Sequence, residues 1–225
     1  MWLLDWMFPP QCAACGGHGA PLCEACAGSL VELGPCCPKC AEPGEGMVCG
    51  RCRASPLPLE TIVSPWKFGG PLASAIRKLK FTGANHVART VAPLWAPLVA
   101  AAVGENGVVV PVPLHWRRRF MRGYDHAFLL AVYACKTAKL DPPVPALART
   151  RHGKPQSKLA ASERRTNLRG AFRVLPRYAT KIVGREVVLL DDVVTTGSTF
   201  AAATEALLAN GARSVTGVAL ARAGY

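Results

Sequence analysis

VVLLDDVVTTGST, at residues 187–199, carries the clearest fold signal in this chain of 225 residues. Its first part, VVLLD, is continuously apolar up to its acid, which is typical of a strand covered on both faces of a sheet. Small and hydroxylated residues follow, then TFAAATEALLANG with helical apolar spacing, then a second strand-like run, SVTGVALA. Strand, loop, helix and strand in this order predict a crossover unit of a parallel sheet. Its loop should lie at the edge where such sheets bind ligands.

The remaining sequence after residue 53 continues this alternation of strands and helices. Strand-like patterns occupy 60–68 and 107–113, and helical patterns occupy 71–81, 85–103 and 124–139. Pro93 and Pro97 are expected to interrupt the second of these helices. The whole pattern predicts an α/β fold with a mostly parallel sheet and helices on both faces.

The cysteines predict a separate metal-binding module at residues 1–53, followed by the α/β domain at 54–225. Eight of them form four Cys-x-x-Cys pairs, a spacing that brings two thiolates to one tetrahedral ion. Two structural zinc ions are predicted, with disulfide or redox pairs and an iron–sulfur cluster as the alternatives. Sequential and interleaved pairing both remain open. The predicted ligands are Cys12, Cys15, Cys23, Cys26, Cys37, Cys40, Cys49 and Cys52.

The loop at 193–199 has the features of an anion site. Small residues let successive backbone N–H groups converge, Gly197 accepts an unusual dihedral angle, and the next helix contributes the positive end of its dipole. Asp191 and Asp192 lie directly before this loop, and a carboxylate ~4 Å from a phosphate would be repelled by about 4 kcal/mol at an effective dielectric of about 20. A sugar between them resolves the conflict, with its hydroxyls on the acids and its phosphate in the loop. The segment therefore predicts a ribose 5-phosphate site.

The same stretch resembles the phosphoribosyl-pyrophosphate (PRPP) loop of type I phosphoribosyltransferases, in which apolar residues, an acidic pair and two variable residues precede Thr-Thr-Gly-x-Thr. The resemblance implies PRPP as the ligand, accompanied by Mg²⁺. It also implies a catalytic role for Asp191 and Asp192, which would hold the ribose hydroxyls. The implied PRPP-binding residues are Asp191, Asp192, Val193, Thr195, Thr196, Gly197, Ser198 and Thr199.

Two further segments and the cysteine-rich start are similar to the ComF/GntX family, whose members are associated in some bacteria with DNA uptake during natural competence. The segments are VPVPLHWRRRFMRGYDHAFLLA (110–131) and RTRHGKPQSKLAASERRTNLRGAF (149–172). The family usually has Asn-Gln after Arg-Gly-aromatic, whereas Asp125 and His126 follow Tyr124 here. No family role is therefore carried over to these two positions.

The resemblance implies transfer of ribose 5-phosphate from PRPP to an acceptor that the sequence does not identify. Basic side chains and Mg²⁺ would neutralise the pyrophosphate as it leaves. The candidate pyrophosphate-binding residues are one lysine before the strand at 108–112, three residues after this strand, and one arginine in a segment that resembles a mobile cover. They are Lys80, His115, Arg117, Arg119 and Arg164.

The net charge of +13 predicts a polyanionic partner. Residues 115–173 contain 14 lysine and arginine residues against three acidic ones, whereas residues 1–53 contain three basic and five acidic residues. A non-catalytic protein that binds single-stranded DNA through 115–173 and keeps the phosphate loop is therefore the main alternative to the enzyme. A third interpretation is a scaffold whose zinc module recruits DNA-uptake or DNA-processing proteins.

The apolar segments are too short to cross a membrane, which needs about 18 consecutive apolar residues. The opening MWLLDWMF contains Asp5 and lacks a positive leading segment, so it is a poor signal peptide. We therefore expect no membrane span and a cytoplasmic location.

Overall fold

A parallel sheet forms the centre of the computed structural model, which describes residues 11–18, 22–81, 84–114, 120, 123–150 and 170–224. Its strands are β1 (Thr61–Val63), β2 (Trp66–Lys67), β3 (Gly107–Pro111), β6 (Glu186–Val194) and β7 (Ser214–Arg222). The strand order is β1-β7-β6-β3, with β2 also paired to β7, and all these pairings are parallel. A separate antiparallel pair is formed by β4 (Leu147–Arg149) and β5 (Phe172–Val174). The predicted α/β fold is confirmed.

Helices cover both faces of this sheet, as the sequence predicts. The cysteine-rich segment contains α1 (Glu24–Gly28) and α2 (Gly50–Ala54). The helices on the sheet are α3 (Gly70–Phe81), α4 (Ala84–Ala102), α5 (His126–Ala138) and α6 (Ser198–Leu208), and a 3₁₀ helix lies at Pro176–Lys181. Residues of α3, α4 and α5 pack in one buried cluster, and residues of α6 and the β4–β5 pair pack in another. The sheet lies between these two clusters.

Strand β6 shows why a central parallel strand is continuously apolar. Val187 and Leu189 belong to the cluster on the α6 side, while Val188 and Leu190 belong to the cluster on the α3–α5 side. Successive side chains of a strand point to opposite faces, so a strand covered on both faces needs apolar residues at every position. The acids of the opening motif follow directly in the same strand.

Helix α4 does not have the interruption that its prolines predict. It runs unbroken from Ala84 to Ala102 with Pro93 and Pro97 inside it. Each proline removes one N–H donor from the helix, but both are exposed, so water can satisfy the carbonyl groups left without a partner. The buried side of the helix, which includes Trp95 and Val99, stays packed against the core.

Glycine lets α6 pack closely on the sheet. A Cβ atom at Gly217 would lie 2.8 Å from Cδ1 of Phe200 and 3.1 Å from Cγ1 of Ile62. Such short contacts would push α6 away from β7. The lack of a side chain at Gly217 thus lets α6 lie close to the sheet, and the first residue of this helix, Ser198, belongs to the candidate phosphate loop.

The cysteine-rich segment packs against β1 and β2 through main-chain hydrogen bonds. Leu33 donates to the carbonyl of Pro65 at 2.9 Å, and Ile62 donates to the carbonyl of Lys39 at 3.1 Å. The predicted strand at 60–68 is split at this point into β1 and β2, because Pro65 has no N–H to donate to a neighbouring strand. The division into 1–53 and 54–225 stays a prediction about folding units, since these bonds cross it.

Candidate functional site

The candidate phosphate loop joins β6 to α6 at the carboxyl edge of the sheet. Strand β6 ends at Val194, Gly197 is the N-cap of α6, and the first turn of this helix contains no acidic residue. The hydroxyls of Thr196 and Ser198 are 2.7 Å apart, and the N–H of Ser198 donates to Oγ1 of Thr196 at 3.4 Å. The positive end of an 11-residue helix therefore opens onto a loop of small polar residues.

Gly197 is required by the shape of this loop. Its φ of 79° is in the left-handed region, which side chains with a Cβ adopt only at a cost. A Cβ atom here would also lie 3.1 Å from Cδ1 of Ile62 and 3.2 Å from Cδ1 of Leu57. Apolar side chains of the sheet and of the segment before β1 thus pack against the loop at Gly197.

The two acids at the end of β6 have different partners. Asp192 is 4% exposed, and its Oδ2 lies 2.6 Å from Nζ of Lys80 in α3 and 3.1 Å from Nε2 of His126 in α5. Asp191 is partly buried, and its Oδ1 accepts a hydrogen bond from the backbone N–H of Asp192 at 2.9 Å. The positive charge of Arg149 in β4 favours the ionised form of Asp191 and so lowers its pKa. The pair is thus buried between charged groups from two different layers.

The pKa values of these carboxyl groups shift in opposite directions. Burial and the negative charge of Asp192 raise the pKa of Asp191 to about 8, and Lys80 offsets part of this rise. Burial also disfavours an ionised Asp192, but the ammonium of Lys80 and the hydrogen bond with His126 outweigh it, so the pKa of Asp192 falls well below its usual range. At neutral pH the pair therefore carries one negative charge, which Lys80 balances.

The raised pKa predicts that Asp191→Asn stabilises the protein at alkaline pH. The folded state keeps the Asp191 proton up to a pH of about 8, whereas the unfolded carboxyl releases it near its ordinary pKa of 3.8. Unfolding thus releases a proton between these values, and stability falls as the pH rises, by up to about 1.4 kcal/mol per pH unit. Asp191→Asn has no ionisable group at this position, so its free energy of unfolding does not fall with pH for this reason.

Thermal unfolding of the wild type and Asp191→Asn should be compared from pH 6 to 9 with zinc present. The advantage of the variant is expected to grow from pH 6 to about pH 8 and then to level off. Parallel stability curves over this range would show that Asp191 ionises normally in the folded protein.

Only part of the predicted pyrophosphate set lies in the described residues. Lys80 is next to the acid pair, as its ion pair with Asp192 shows. The other candidates, His115, Arg117, Arg119 and Arg164, lie outside the described residues. Ten of the 14 lysine and arginine residues of the basic segment 115–173 also lie outside them, within 115–119, 121–122 and 151–169.

Two residues beside the site were not assigned a role from the sequence. The carboxylate of Asp125 accepts hydrogen bonds from the N–H groups of Leu114, Ala127 and Phe128, at 3.0, 3.2 and 3.3 Å. It thus caps α5 and holds the segment after β3. The next residue, His126, is 4% exposed and contacts Asp192. A capping Asp before an apolar periodic run is a helix-start signal, but the long-range contact of His126 leaves no pattern in the local sequence.

The eight cysteines predicted as metal ligands form two groups of four in the structure. In each group the Sγ atoms lie within 4.8 Å of one another, and the groups are Cys12, Cys15, Cys23, Cys26 and Cys37, Cys40, Cys49, Cys52. The pairing is therefore sequential, and the interleaved alternative is excluded.

The sulfur positions fit tetrahedral zinc. A Zn–S bond of about 2.3 Å places neighbouring sulfurs about 3.8 Å apart in a tetrahedron. Cys15 and Cys23 have Sγ atoms 3.8 Å apart, and Cys40 and Cys49 have Sγ atoms 3.7 Å apart. These distances exclude disulfides between those partners, whose sulfurs would be about 2.05 Å apart. Both sites are thus compatible with structural zinc ions held by four thiolates, which leave no position for a substrate.

The two clusters repeat the same local structure, as the duplicated spacing predicts. In each one the N–H of the third cysteine donates to the sulfur of the first, from Cys23 to Cys12 at 3.4 Å and from Cys49 to Cys37 at 3.3 Å. In each one the third cysteine is also the N-cap of a five-residue helix, α1 or α2. The segment is therefore two copies of one metal-binding unit.

Among the helices of the described residues, none has both the length and the apolarity to cross a bilayer.

Known proteins resemble both parts of this chain. A family model described as a double zinc ribbon domain matches residues 3–53. DNA utilization protein YhgH of Escherichia coli K12 is 34% identical over 207 residues, which cover 88% of this chain and 88% of that protein. YhgH of Salmonella typhi is 34% identical over 202 residues, or 86% of this chain and 87% of the relative. Competence protein F of Haemophilus influenzae is 30% identical over 224 residues, covering 95% and 97% of the two chains.

Proposed function

This chain belongs to the family of DNA utilization protein YhgH and competence protein F, and from that membership we propose that it acts in DNA utilization and natural competence. We further propose that it binds PRPP and transfers the ribose 5-phosphate of PRPP to an acceptor. The observation that carries this second step is the acid pair at the end of β6, directly before a loop that opens onto the N-terminus of α6.

The charges of the site support binding of a sugar phosphate. A phosphate in the loop is attracted by the start of α6, while a protonated Asp191 and an Asp192 balanced by Lys80 repel it little. The carboxyl groups retain oxygens that can accept hydrogen bonds from ribose hydroxyls, and these bonds are strong where the acceptor is ionised. The same arrangement would bind free phosphate less well, because the acids would then have no hydroxyl partner.

The proposed transfer needs positioning and charge more than acid–base chemistry. The C1–O bond of PRPP breaks, the bonding pair leaves with pyrophosphate, and the acceptor nucleophile bonds to C1 and loses its proton. Asp192 would stabilise the positive charge that develops on the ribose. Lys80, released when ribose hydroxyls bind Asp192, would turn to the departing pyrophosphate. Mg²⁺ bound with the phosphates of PRPP would supply further positive charge, and His115, Arg117, Arg119 and Arg164 remain candidates for the same task.

A cavity of about 250 Å³ near the end of β3 offers room for a ring-sized group. Its lining includes Pro113, Tyr124 and Phe128, together with the polar residues Asp125 and Arg177. Flat apolar walls with a few polar groups are typical of small-molecule sites. Acceptors with a planar ring therefore come first in a screen.

Calorimetric titration of the zinc-loaded protein with PRPP and Mg²⁺ tests the proposed function, with Gly197→Ala as the diagnostic variant. The wild type is expected to bind, and Gly197→Ala is expected to lose at least about tenfold in affinity, because the added methyl group distorts the loop. Gly184→Ala is the matched control. Gly184 also has a positive φ, of 70°, but lies outside the loop, and its added Cβ would meet no other atom within 4 Å.

The wild type should then be screened for pyrophosphate release with candidate acceptors. Absence of PRPP binding by the wild type would refute the proposed ligand. Equal PRPP affinity of the two glycine variants would refute the assignment of the loop.

Binding of single-stranded DNA is the second candidate function, and the charge of residues 115–173 favours it. Fourteen basic residues in that segment would release counterions from a nucleic-acid backbone, which gives affinity without sequence preference. The two functions do not exclude each other. PRPP binding requires the acid pair Asp191 and Asp192, whereas DNA binding through 115–173 does not.

A further inference from the structure

Arg222, the last residue of β7, connects the phosphate loop to the second cysteine cluster. Its side chain is 1% exposed. The guanidinium donates to the backbone carbonyls of Val194, at 3.3 Å, and of Thr195. It also donates to the carbonyl of Ala41, at 3.1 Å, and forms an ion pair with Glu42. One buried side chain thus holds both segments.

The contacts continue from Glu42 to a metal ligand. Oε2 of Glu42 also lies 3.0 Å from Nη2 of Arg51, and the same Nη2 donates to Sγ of Cys40 at 3.5 Å. Cys40 is one of the four thiols of the second cluster. A continuous series of charged contacts therefore runs from this metal site to the loop that is proposed to bind phosphate.

The first cluster lacks this series, although it has the same local fold. Gly17 accepts from the N–H of Cys12 at 2.7 Å, just as Glu42 accepts from the N–H of Cys37 at 2.7 Å, so these two residues are equivalent. Position 25, between the third and fourth cysteines, is alanine where the second cluster has Arg51. The first cluster is instead held by Lys78, whose Nζ donates to the carbonyls of Cys12 and Ala14 at 3.4 and 3.2 Å. The charged pair is therefore particular to the second cluster, where it leads to Arg222.

Ala41 departs from the first cluster in the same way. It has a φ of 56°, a conformation that the first cluster gives to Gly16, with a φ of 84°. A non-glycine residue in this region costs on the order of 1 kcal/mol. The alanine is fully buried in the cluster that includes Leu33 and Val194, and its carbonyl accepts from Arg222. The second cluster thus tolerates local strain at a residue that contacts Arg222.

The peptide plane explains how Arg222 acts on the loop. In a trans peptide, the carbonyl of one residue and the N–H of the next point in opposite directions. When Arg222 holds the carbonyls of Val194 and Thr195, the N–H groups of Thr195 and Thr196 point away from it. These N–H groups are then turned away from the buried guanidinium, which leaves them available to a phosphate bound in the loop.

We propose that the second metal site positions the phosphate loop through Arg51, Glu42 and Arg222, so that metal at Cys37, Cys40, Cys49 and Cys52 and phosphate in the loop strengthen each other's binding. This inference rests on the proposed function, in that the loop must bind a phosphorylated ligand. Arg222 is a positioning residue here, since it contacts loop carbonyls and not the ligand. Coupling between two sites is reciprocal in free energy, so ligand binding must also strengthen metal binding at the second cluster.

Glu42→Gln is the first test, because it removes the shared charge while keeping the shape of the side chain. The variant is expected to bind PRPP about tenfold more weakly, a typical size for coupling between sites, and to retain two zinc ions. Hydrogen exchange of the loop amides, residues 194–199, is expected to become faster. Glu42→Asp, which keeps the charge, should recover part of the affinity.

Glu186→Gln is the matched control for this test. Glu186 also has an arginine partner, Arg213 at 3.8 Å, but it lies at the other end of β6 and is more exposed. Its variant should change neither PRPP affinity nor loop exchange. Wild-type values for Glu42→Gln in both measurements would overturn the inference.

Metal release from the wild type provides a second test that needs no variant. A chelator removes zinc while an alkylating reagent marks the freed cysteines, which mass spectrometry assigns to one cluster or the other. When alkylation is slower than zinc exchange, labelling measures the metal-free fraction, and PRPP is expected to lower labelling of the second cluster about tenfold and to leave the first unchanged. Equal protection of both clusters, or of neither, would overturn the inference.

Failure of the proposed function gives a different result from failure of this inference. If the wild type does not bind PRPP, the proposed function fails, and loop exchange alone decides whether the metal site positions the loop. Faster exchange in Glu42→Gln than in Glu186→Gln then supports the positioning role, and equal exchange overturns it. If Glu42→Gln loses zinc or fails to fold, the release experiment on the wild type decides.

Discussion

Removal of metal from both cysteine clusters is expected to unfold the segment 11–54. Its buried side chains beyond the thiols are few and small, and its two helices, α1 and α2, have five residues each, too short to be stable alone. Zinc bound by four thiolates contributes on the order of 10–16 kcal/mol at neutral pH, which is the folding energy of such a segment. Limited proteolysis with excess chelator should therefore cut within 11–54, and added zinc should restore protection.

The parallel sheet should stay folded in the metal-free protein but melt at a lower temperature. Unfolding of the segment removes Leu33 and Ala41 from the core and leaves Arg222 without its contacts to Ala41 and Glu42. Cys40→Ser and Cys135→Ser form a matched pair of variants, because Cys135 is buried outside both clusters. Only Cys40→Ser should lower the zinc content. A metal-free protein in which 11–54 resists protease would contradict this prediction.

Replacing both acids, as in Asp191→Asn with Asp192→Asn, is expected to lower PRPP affinity by at least about 100-fold. Hydrogen bonds to charged groups contribute about 1.5–3 kcal/mol each, and the proposed site loses its ionised acceptor and its pairing with Lys80. Calorimetry at constant Mg²⁺ measures the change. Glu186→Gln on the same strand should bind like the wild type, and a double variant that keeps affinity within about threefold would remove the acids from the proposed site.

The same double variant separates the two candidate functions. If the chain binds single-stranded DNA through its basic segment, the loss of acidic groups should leave that affinity unchanged or raise it, with the same steep salt dependence. Fluorescence anisotropy with a labelled oligonucleotide at two salt concentrations measures this. Thermal unfolding of the double variant must also be measured, because Asp192→Asn leaves Lys80 and His126 facing a neutral amide and can lower stability. DNA affinity that falls together with PRPP affinity would mean that both ligands use the acid pair.

Much of the fold could be predicted because it depends on local patterns. The strand at 187–191 and the helix after Ser198 follow from apolar periodicity, and both occur as β6 and α6. Where tertiary packing overrides a local tendency, prediction was wrong, as in the uninterrupted α4 with Pro93 and Pro97. A proline removes one N–H donor from a helix wherever it occurs. The free-energy cost of that loss is lower when the proline lies on the side of the helix that faces water.

The candidate site could be predicted only in its contiguous part. Asp191, Asp192 and the loop are neighbours in the chain, so their relation is visible in the sequence. His126 and Arg222 reach the site from other elements. The family resemblance of 110–131 gave His126 no role, because the family usually has another residue there, and the sequence around Arg222 carries no motif that points to the site. Lys80 was predicted for the pyrophosphate, and its pairing with Asp192 was not.

From sequence alone one could predict which cysteines are suited to bind metal, the parallel α/β architecture and the position of the loop, because spacing and periodicity act over a few residues. Only the tertiary structure decided that the cysteines group sequentially, that Asp191 and Asp192 have opposite pKa shifts, and that Arg222 joins the loop to a residue 181 positions away. The physical reason is that burial, charge and hydrogen bonding depend on distances in space, and the chain order contains these distances only after folding.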